Sequence, residues 1–205
     1  RVLETESELD ILVDNAGAIH ERRTETEDGM EATFATMVAG PFVLVSGLLP
    51  LLERSEGRVI TVVSGGMYGQ ALPLDDLQFE QGDFNGTLAY ARAKRAATAM
   101  VREWARRHRA GPVRFNAMHP GWADTPGLAE SLPGFYEFMG PVLRTPEEGA
   151  DTITWLATGA AAGLPGGRLY LDRRARPFDR FPSTRLSPAD RRELWDRVVS
   201  STAEG

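Results

Sequence analysis

Short apolar runs alternate with longer stretches of helical periodicity along most of this 205-residue chain. The apolar runs have the length of buried strands, and each ends in a turn rich in glycine or polar residues. The predicted strands lie at residues 9–13, 58–63, 113–118 and 167–171. The predicted helices lie at about 28–53, 87–107, 145–158 and 187–200. This alternation predicts an α/β fold: a doubly wound parallel sheet with helices on both faces.

Capping residues mark the start of two predicted helices. Thr145-Pro146-Glu147-Glu148 combines a threonine cap, a first-turn proline and a glutamate three positions after the cap. Ser187-Pro188-Ala189-Asp190 begins the last helix by the same logic. Residues 127–142, rich in glycine, proline and aromatic residues, are expected to form a lid. The arginine-rich segment 173–185 is expected to be a solvated tail.

Composition narrows the range of functions. We expect one domain over residues 1–205, in which 173–205 form the tail and the terminal helix. The net charge of −6 provides no basic face for nucleic acid. The sequence has no cysteine, and its three histidines fit no metal-binding spacing, so we predict no metal site. Glycine and proline interrupt the longest apolar run, 38–52, so we expect no membrane span and a cytoplasmic protein.

Lys94 is the only lysine among the 23 lysine and arginine residues, and it follows Tyr90 by four positions. Residues four apart lie side by side on a helix. A neighbouring ammonium favours the phenolate form of a tyrosine, which prepares the hydroxyl for proton transfer near neutral pH. The pair therefore indicates an acid–base site, although a chance pairing on a solvated helix face is the alternative explanation.

Small and polar residues cluster where the predicted strands end. Asn15, Ala16 and Gly17 follow the first strand, Ser64 closes the second, and 120–125 follow the third. In a parallel sheet, ligands bind beyond the carboxyl ends of the strands. We therefore expect the site at this edge, with plain turn formation as the alternative role of these residues.

These landmarks, in this order, resemble the short-chain dehydrogenase/reductase family over the chain up to about residue 172. The matching segments are Asp14-Asn15-Ala16-Gly17, Ser64, Tyr90-x-x-x-Lys94 and His119-Pro120-Gly121-Trp122-Ala123-Asp124-Thr125. Each motif is weak alone, but four in the correct order are specific. The segments 75–77 and 118–127 are similar to those of retinol-dehydrogenase-like members of the family.

The resemblance implies a Rossmann-like fold and hydride transfer between NAD or NADP and an alcohol or carbonyl substrate. It implies that Ser64, Tyr90 and Lys94 are catalytic. The cofactor-binding residues that it implies are Asn15, Ala16, Gly17, Tyr90, Lys94, Pro120, Gly121, Ala123 and Thr125. The helices at 28–53 and 87–107 correspond to the usual dimer surfaces of the family, so the resemblance is compatible with a homodimer and leaves the oligomeric state open. The aromatic residues of the lid favour a hydrophobic substrate.

Two departures from the family pattern matter. The glycine-rich phosphate loop that opens a Rossmann fold is absent from the sequence, and we expect the first three strands of the family fold to be missing at the amino end. Met37 stands where the family usually has an asparagine that helps to hold a water near the lysine. A thioether cannot donate a hydrogen bond, so we expect a weakened or rerouted proton relay.

The sequence leaves three hypotheses open. The favoured one is the catalytic part of an NAD(P)-dependent oxidoreductase. The second is a non-catalytic relative that serves binding or interaction, or an inactive fragment, for which Met37 and the missing phosphate loop argue. The third is a nucleotide-sugar epimerase or dehydratase, which shares the Tyr-x-x-x-Lys spacing. The Asn-Ala-Gly turn and the Pro-Gly-Trp segment favour the first over the third.

Overall fold

A computed structural model of the chain describes residues 2–124, 133–139, 142–161 and 163–203, which contain a five-stranded sheet. The strands are β1 (Ile11–Asp14), β2 (Arg58–Val62), β3 (Arg114–Met118), β4 (Leu169–Leu171) and β5 (Arg174–Arg176). They lie in the order β1-β2-β3-β4-β5. The first four are parallel and β5 runs antiparallel to β4. The predicted parallel sheet is confirmed.

Six helices lie among the described residues. They are α1 (Val2–Thr5), α2 (Ala32–Arg54), α3 (Gly86–Arg107), α4 (Pro133–Met139), α5 (Pro146–Ala157) and α6 (Pro188–Ala203). Short 3-10 turns cover Gly65–Gly69, Leu74–Asp76, Gly159–Ala161 and Pro182–Thr184. The four predicted helices are all present, with boundaries that differ by a few residues.

Helices cover both faces of the sheet because side chains alternate along each strand. On one face, Val59, Phe115 and Leu169 pack with α2, α3 and α6 in the larger core. On the other face, Ile60 and Met118 form a smaller core with residues of α5. This two-sided packing places the carboxyl ends of β1, β2 and β3 at one open edge of the sheet.

The predicted helix caps are present. The Thr145 hydroxyl accepts a hydrogen bond from the Glu148 amide, and the Glu148 carboxylate accepts one from the Thr145 amide. Ser187 and Asp190 make the equivalent reciprocal pair at α6. The cap of α3 is Asn85, whose side chain accepts from the amide of Leu88. These bonds satisfy amides that have no partner within the first helical turn.

The segment at 173–185 is largely exposed, as expected, but it includes β5 and is held against α3. Arg95, which is only 2% exposed, donates hydrogen bonds to the carbonyl oxygens of Phe178 and Thr184 at 2.8 Å and 2.5 Å. It also pairs with the Asp179 carboxylate, which Arg102 contacts as well. The buried guanidinium of α3 thus attracts the segment, because a buried charge requires partners.

Helix α2 is continuous through the glycine and proline positions that were expected to interrupt it. Its first three residues, Ala32–Phe34, are α-helical, and a π-helical turn follows at Ala35–Ala39, just before Gly40 and Pro41. The wider turn accommodates a residue that has no amide hydrogen. The 23 residues are long and apolar enough to cross a membrane by length and composition alone. Core helices of soluble proteins pass the same test, and Val45, Leu48 and Leu52 are buried against the sheet.

Candidate active site

The edge of the sheet brings together the loops that follow β1, β2 and β3. Asp14 lies beside Thr61, and Val62 lies beside Met118, in the registers of the parallel pairs. The loops after these three strands therefore leave the sheet at similar heights. They contain residues 15–17, Ser64 and residues 119–121. Helix α3 packs against β3 and brings Tyr90 and Lys94 beneath these loops.

Ser64 is the second residue after β2. Its backbone is extended, and its Oγ accepts a hydrogen bond from the Gly66 amide at 3.3 Å, which caps the 3-10 turn Gly65–Gly69. Its hydroxyl also interacts with that of Tyr90. The Ser64 hydroxyl therefore takes part in two contacts: it stabilises the turn that follows β2, and it interacts with Tyr90.

Tyr90 and Lys94 lie one turn apart on α3, with the Lys94 Nζ 5.8 Å from the centre of the tyrosine ring. Burial raises the pKa of Tyr90, and the Ser64 hydroxyl partly opposes this effect. The expected lowering of the tyrosine pKa is thus not seen in this structure, because desolvation disfavours the phenolate. Burial therefore favours the protonated form of Tyr90.

Lys94 is 5% exposed, and its Nζ donates a hydrogen bond to the Val62 carbonyl at 2.8 Å. Burial lowers the pKa of Lys94, and the Asp14 carboxylate raises it. Burial in turn raises the pKa of Asp14 to about 6, against the effects of Lys94 and of a hydrogen bond with Thr61. Asp14 is a site residue that sequence reasoning missed, since nothing in the motif reveals its burial.

Gly17 lies against the lysine. A Cβ at this position would be 3.3 Å from the Lys94 Nζ and 3.0 Å from the Met37 Sδ. Met37 is 2% exposed and lies within the π-helical turn of α2. Glycine is therefore needed here for the backbone to pass close to the ammonium. The exposed backbone of Asn15, Ala16 and Gly17 forms a rim beside that charge.

Arg144 holds the turn after β3, which sequence reasoning did not anticipate. Gly121 has a φ of +78°, and a Cβ there would lie 2.8 Å from the Arg144 Nε. The guanidinium donates to the Pro120 carbonyl at 3.3 Å and pairs with Asp172 at 2.5 Å. Ala123 forms a parallel bridge with Arg144. The predicted Pro120, Gly121 and Ala123 thus lie at the same edge as Ser64.

Part of the predicted site lies outside the described residues. This holds for Thr125 and for much of the expected lid at 127–142. Within that segment, α4 places the Tyr136 hydroxyl 2.7 Å from the Asp124 carboxylate, to which it donates a hydrogen bond. Phe138 is 83% exposed. The lid function of the segment stays a prediction.

Known proteins resemble the chain over most of its length. A family model described as enoyl-(acyl carrier protein) reductase matches residues 1–173. Human dehydrogenase/reductase SDR family member 12 is 46% identical over 171 residues, which cover 82% of this chain and 53% of the human protein. The chain belongs to the short-chain dehydrogenase/reductase family. Retinol dehydrogenase 14 of Mus musculus is 34% identical over 95% of this chain and 59% of its own length.

Solved structures of the short-chain dehydrogenase/reductase fold agree with this assignment. An uncharacterized protein from Mycobacterium paratuberculosis is 26% identical, with a TM-score of 0.73 over 98% of this chain and 69% of its own. A family oxidoreductase from Brucella ovis, in complex with partially ordered NAD, is 26% identical with a TM-score of 0.53, over 82% of this chain and 66% of its own. The curated relatives are longer, and the chain spans 53% of the human protein and 59% of the mouse one.

Proposed function

We propose that this chain supplies the acid–base half of an NAD(P)-dependent oxidoreductase that interconverts an alcohol and a carbonyl compound. The main observation behind this proposal is the buried Lys94 ammonium, which lies one helical turn from Tyr90 and beneath the loop that begins at Ser64. Burying a lysine is costly, and a single lysine in such a place argues for a specific task. Family membership supports the same reaction class.

The roles of the three side chains follow from their chemistry. The bound nicotinamide supplies or accepts the hydride. Tyr90, whose pKa burial raises, donates its proton to the substrate oxygen during carbonyl reduction. Ser64 donates a hydrogen bond to the same oxygen and stabilises the charge that develops there. Lys94 provides the positive charge that favours the phenolate after the proton has left.

The residues of this chain fit the nicotinamide half of a dinucleotide. An ammonium has three hydrogens, and Val62 takes one of those of Lys94, which leaves two for ribose hydroxyls. The small residues 15–17 form an exposed rim beside the lysine, so a sugar can approach the backbone closely. NAD and NADP share this half, so the fit supports both. The sequence contains no glycine-rich loop for the phosphates.

Met37 supports a second candidate, a relative that binds ligands without turnover. A buried thioether lies next to Gly17, where the family usually provides an asparagine. It can neither donate a hydrogen bond nor order a water well. The polar contacts of Ser64, Tyr90 and Lys94 favour the catalytic candidate over this one.

Turnover by the complete gene product tests the proposal. We would follow oxidation of NADH and NADPH with a panel of aliphatic and aromatic ketones and aldehydes, and compare the parent with Lys94→Met. The variant keeps the apolar stem and loses the ammonium, so we expect turnover to fall by about 100-fold or more. Arg109→Met, an exposed position just beyond α3, serves as the control. No turnover by the parent, or full turnover by Lys94→Met, would contradict the proposal.

A further inference from the structure

Two arginines of the carboxyl-terminal segment lie beside the loop that begins at Ser64. The guanidinium of Arg180 stacks on the Tyr68 ring at 4.8 Å, and this ring meets that of His119 edge-on at 6.0 Å. Arg176 is the second arginine near both rings, close enough to act on their charges. We call Tyr68, His119, Arg176 and Arg180 the arginine pocket.

The arginine pocket is joined to the catalytic loop through His119. The His119 Nδ1 lies 3.7 Å from the position of a Cβ on Gly65, the residue that follows Ser64. Tyr68 lies in the 3-10 turn Gly65–Gly69 that Ser64 caps. A ligand that contacts Ser64 through one end can therefore reach the arginines through the other.

Hydrogen bonds hold the two arginines in place. The Tyr68 hydroxyl donates to the Pro177 carbonyl at 2.9 Å, and the Thr184 hydroxyl donates to the Tyr68 carbonyl at 3.0 Å. Arg95 fixes the backbone between these two contacts. The guanidinium of Arg180 is thus presented by an anchored segment, which lowers the entropic cost of binding a ligand.

Carboxylates near the arginine pocket offset its charge only in part, since Asp172 acts on Arg176 and His119 from beyond ion-pair distance. The nearby Asp172 pairs with Arg144, and Asp179 pairs with Arg95 and Arg102. In the part of the chain that the structure describes, neither Arg176 nor Arg180 has a carboxylate within ion-pair distance. The surrounding acidic residues are therefore already engaged elsewhere.

Buried polar atoms of the pocket also have no partner among the described residues. His119 is 6% exposed, and neither of its ring nitrogens has a hydrogen-bond partner among the described residues. The Nε of Arg176 is buried without a partner as well. Buried polar groups are nearly always satisfied in folded proteins, by protein, water or ligand. These unsatisfied buried groups and the arginine charges without an ion-pair partner together favour the binding of an anionic ligand.

We propose that the arginine pocket binds a carboxylate or phosphate group of the substrate, whose alcohol or carbonyl carbon lies at Ser64 and Tyr90. The placement of that carbon rests on the proposed function, whereas anion binding does not. Arginine is suited to this task because its planar fork matches both anions. The substrate would therefore combine an apolar body with an acidic end.

The position of the pocket favours the substrate over the cofactor as the source of the anion. Tyr68 follows β2, His119 follows β3, and the two arginines lie at the end of β5 and just after it. The rim at 15–17 follows β1, which lies at the opposite end of the sheet from β5. In the free protein, burial and the nearby arginines lower the pKa of His119 to about 4. An anion bound to Arg180 would oppose the effect of these arginines. Its binding should thus raise that pKa, which provides a local readout.

Binding of octanoate and octanol to the complete gene product, without nucleotide, tests this proposal. Both probes have the same apolar chain, and only octanoate has an acidic end. We expect the parent to bind octanoate about tenfold more tightly than octanol. Arg176→Gln and Arg180→Gln should remove that preference and leave octanol binding unchanged. Arg192→Gln, an exposed position on α6, should behave as the parent.

Several outcomes would overturn the proposal. These are an absence of octanoate preference in the parent, retention of the preference in both pocket variants, and a loss of NAD⁺ or NADP⁺ affinity in place of octanoate affinity. Thermal unfolding of each variant controls for misfolding, and Arg180→Lys, which keeps the charge, should retain part of the preference. Because this assay needs no turnover, it can fail while the Lys94→Met test succeeds, and the reverse.

Discussion

Asp14 lies at the end of β1, and the Lys94 ammonium reaches from α3 to the end of β2, where each group alters the proton affinity of the other. Burial shifts both groups toward their neutral forms, and their mutual attraction opposes that shift. The lysine also depends on the Val62 carbonyl for its hydrogen bond. The charge state of the site therefore depends on a residue outside the catalytic motif.

Replacing Asp14 should change how stability depends on pH. Burial raises the pKa of Asp14 from 3.8 to about 6, so the folded state binds this proton more tightly than the unfolded state. The contribution of Asp14 to stability is thus largest below the lower value and is lost as pH rises through the higher one. Asp14→Asn removes this loss, so it should gain relative to the parent over that window, by up to roughly 3 kcal/mol.

Urea unfolding of both proteins at several pH values across that window measures the difference. Comparing the two cancels the contributions of other titrating groups. A difference in unfolding free energy that stays constant with pH would show that Asp14 titrates normally in the folded protein.

Replacing Met37 tests the proton relay. Met37→Asn introduces an amide that can bond a water near Lys94, so we expect a several-fold higher kcat in the complete gene product. It should also lower stability by about 1–3 kcal/mol, because an amide is buried. Met37→Leu keeps the apolar contact and should leave kcat unchanged. An unchanged kcat in a folded Met37→Asn protein would show that the proton relay does not limit turnover.

Residue spacing predicted some of the site and missed the rest for a physical reason. Ser64, Tyr90 and Lys94 were predictable because their order and helical spacing are written in the sequence. His119 and Arg144 act through burial and through contacts with residues distant in the chain. No local pattern encodes such contacts.

At the scale of elements, Arg95 joins α3 to the segment at 177–184. Removing a buried charge that has several partners leaves those partners unsatisfied. Arg95→Met should therefore lower the free energy of unfolding by roughly 3–5 kcal/mol. Arg102 is the other ion-pair partner of Asp179, and its side chain is 27% exposed. Arg102→Met should therefore lower the free energy of unfolding by less than about 1 kcal/mol.

Urea unfolding of the two variants under identical conditions makes the comparison. Equal losses, or a negligible loss for Arg95→Met, would show that the segment is not held by the buried guanidinium. The exposed position of Arg102 on the same helix controls for changes in helix propensity.

Helices and central strands were predictable because hydrophobic periodicity specifies them. Strand β5 was not, since its three residues, Arg174–Arg176, include no run of apolar side chains. Its pairing depends on β4, which turns back at Asp172 and Arg173, both with positive φ. Helix α2 was predicted as a helix, but the effect of its prolines was overestimated.

For the whole molecule, the alternation of strands and helices was enough to predict the parallel sheet. Each crossover returns the chain to the same side of the sheet edge, so the strand ends converge. The outer edge of β1 carries Val13, which is 38% exposed. Such an edge is where additional strands join a sheet.

The most direct test of the central claim is the single-turnover rate of hydride transfer in Tyr90→Phe, measured in the complete gene product with saturating nucleotide. Phenylalanine keeps the ring and removes only the hydroxyl group. We predict a rate about 100-fold to 10,000-fold lower at saturating nucleotide. Tyr170→Phe, at a buried tyrosine of β4, should match the parent. A Tyr90→Phe protein that transfers hydride at the parent rate would contradict the assignment of Ser64, Tyr90 and Lys94 as the catalytic site.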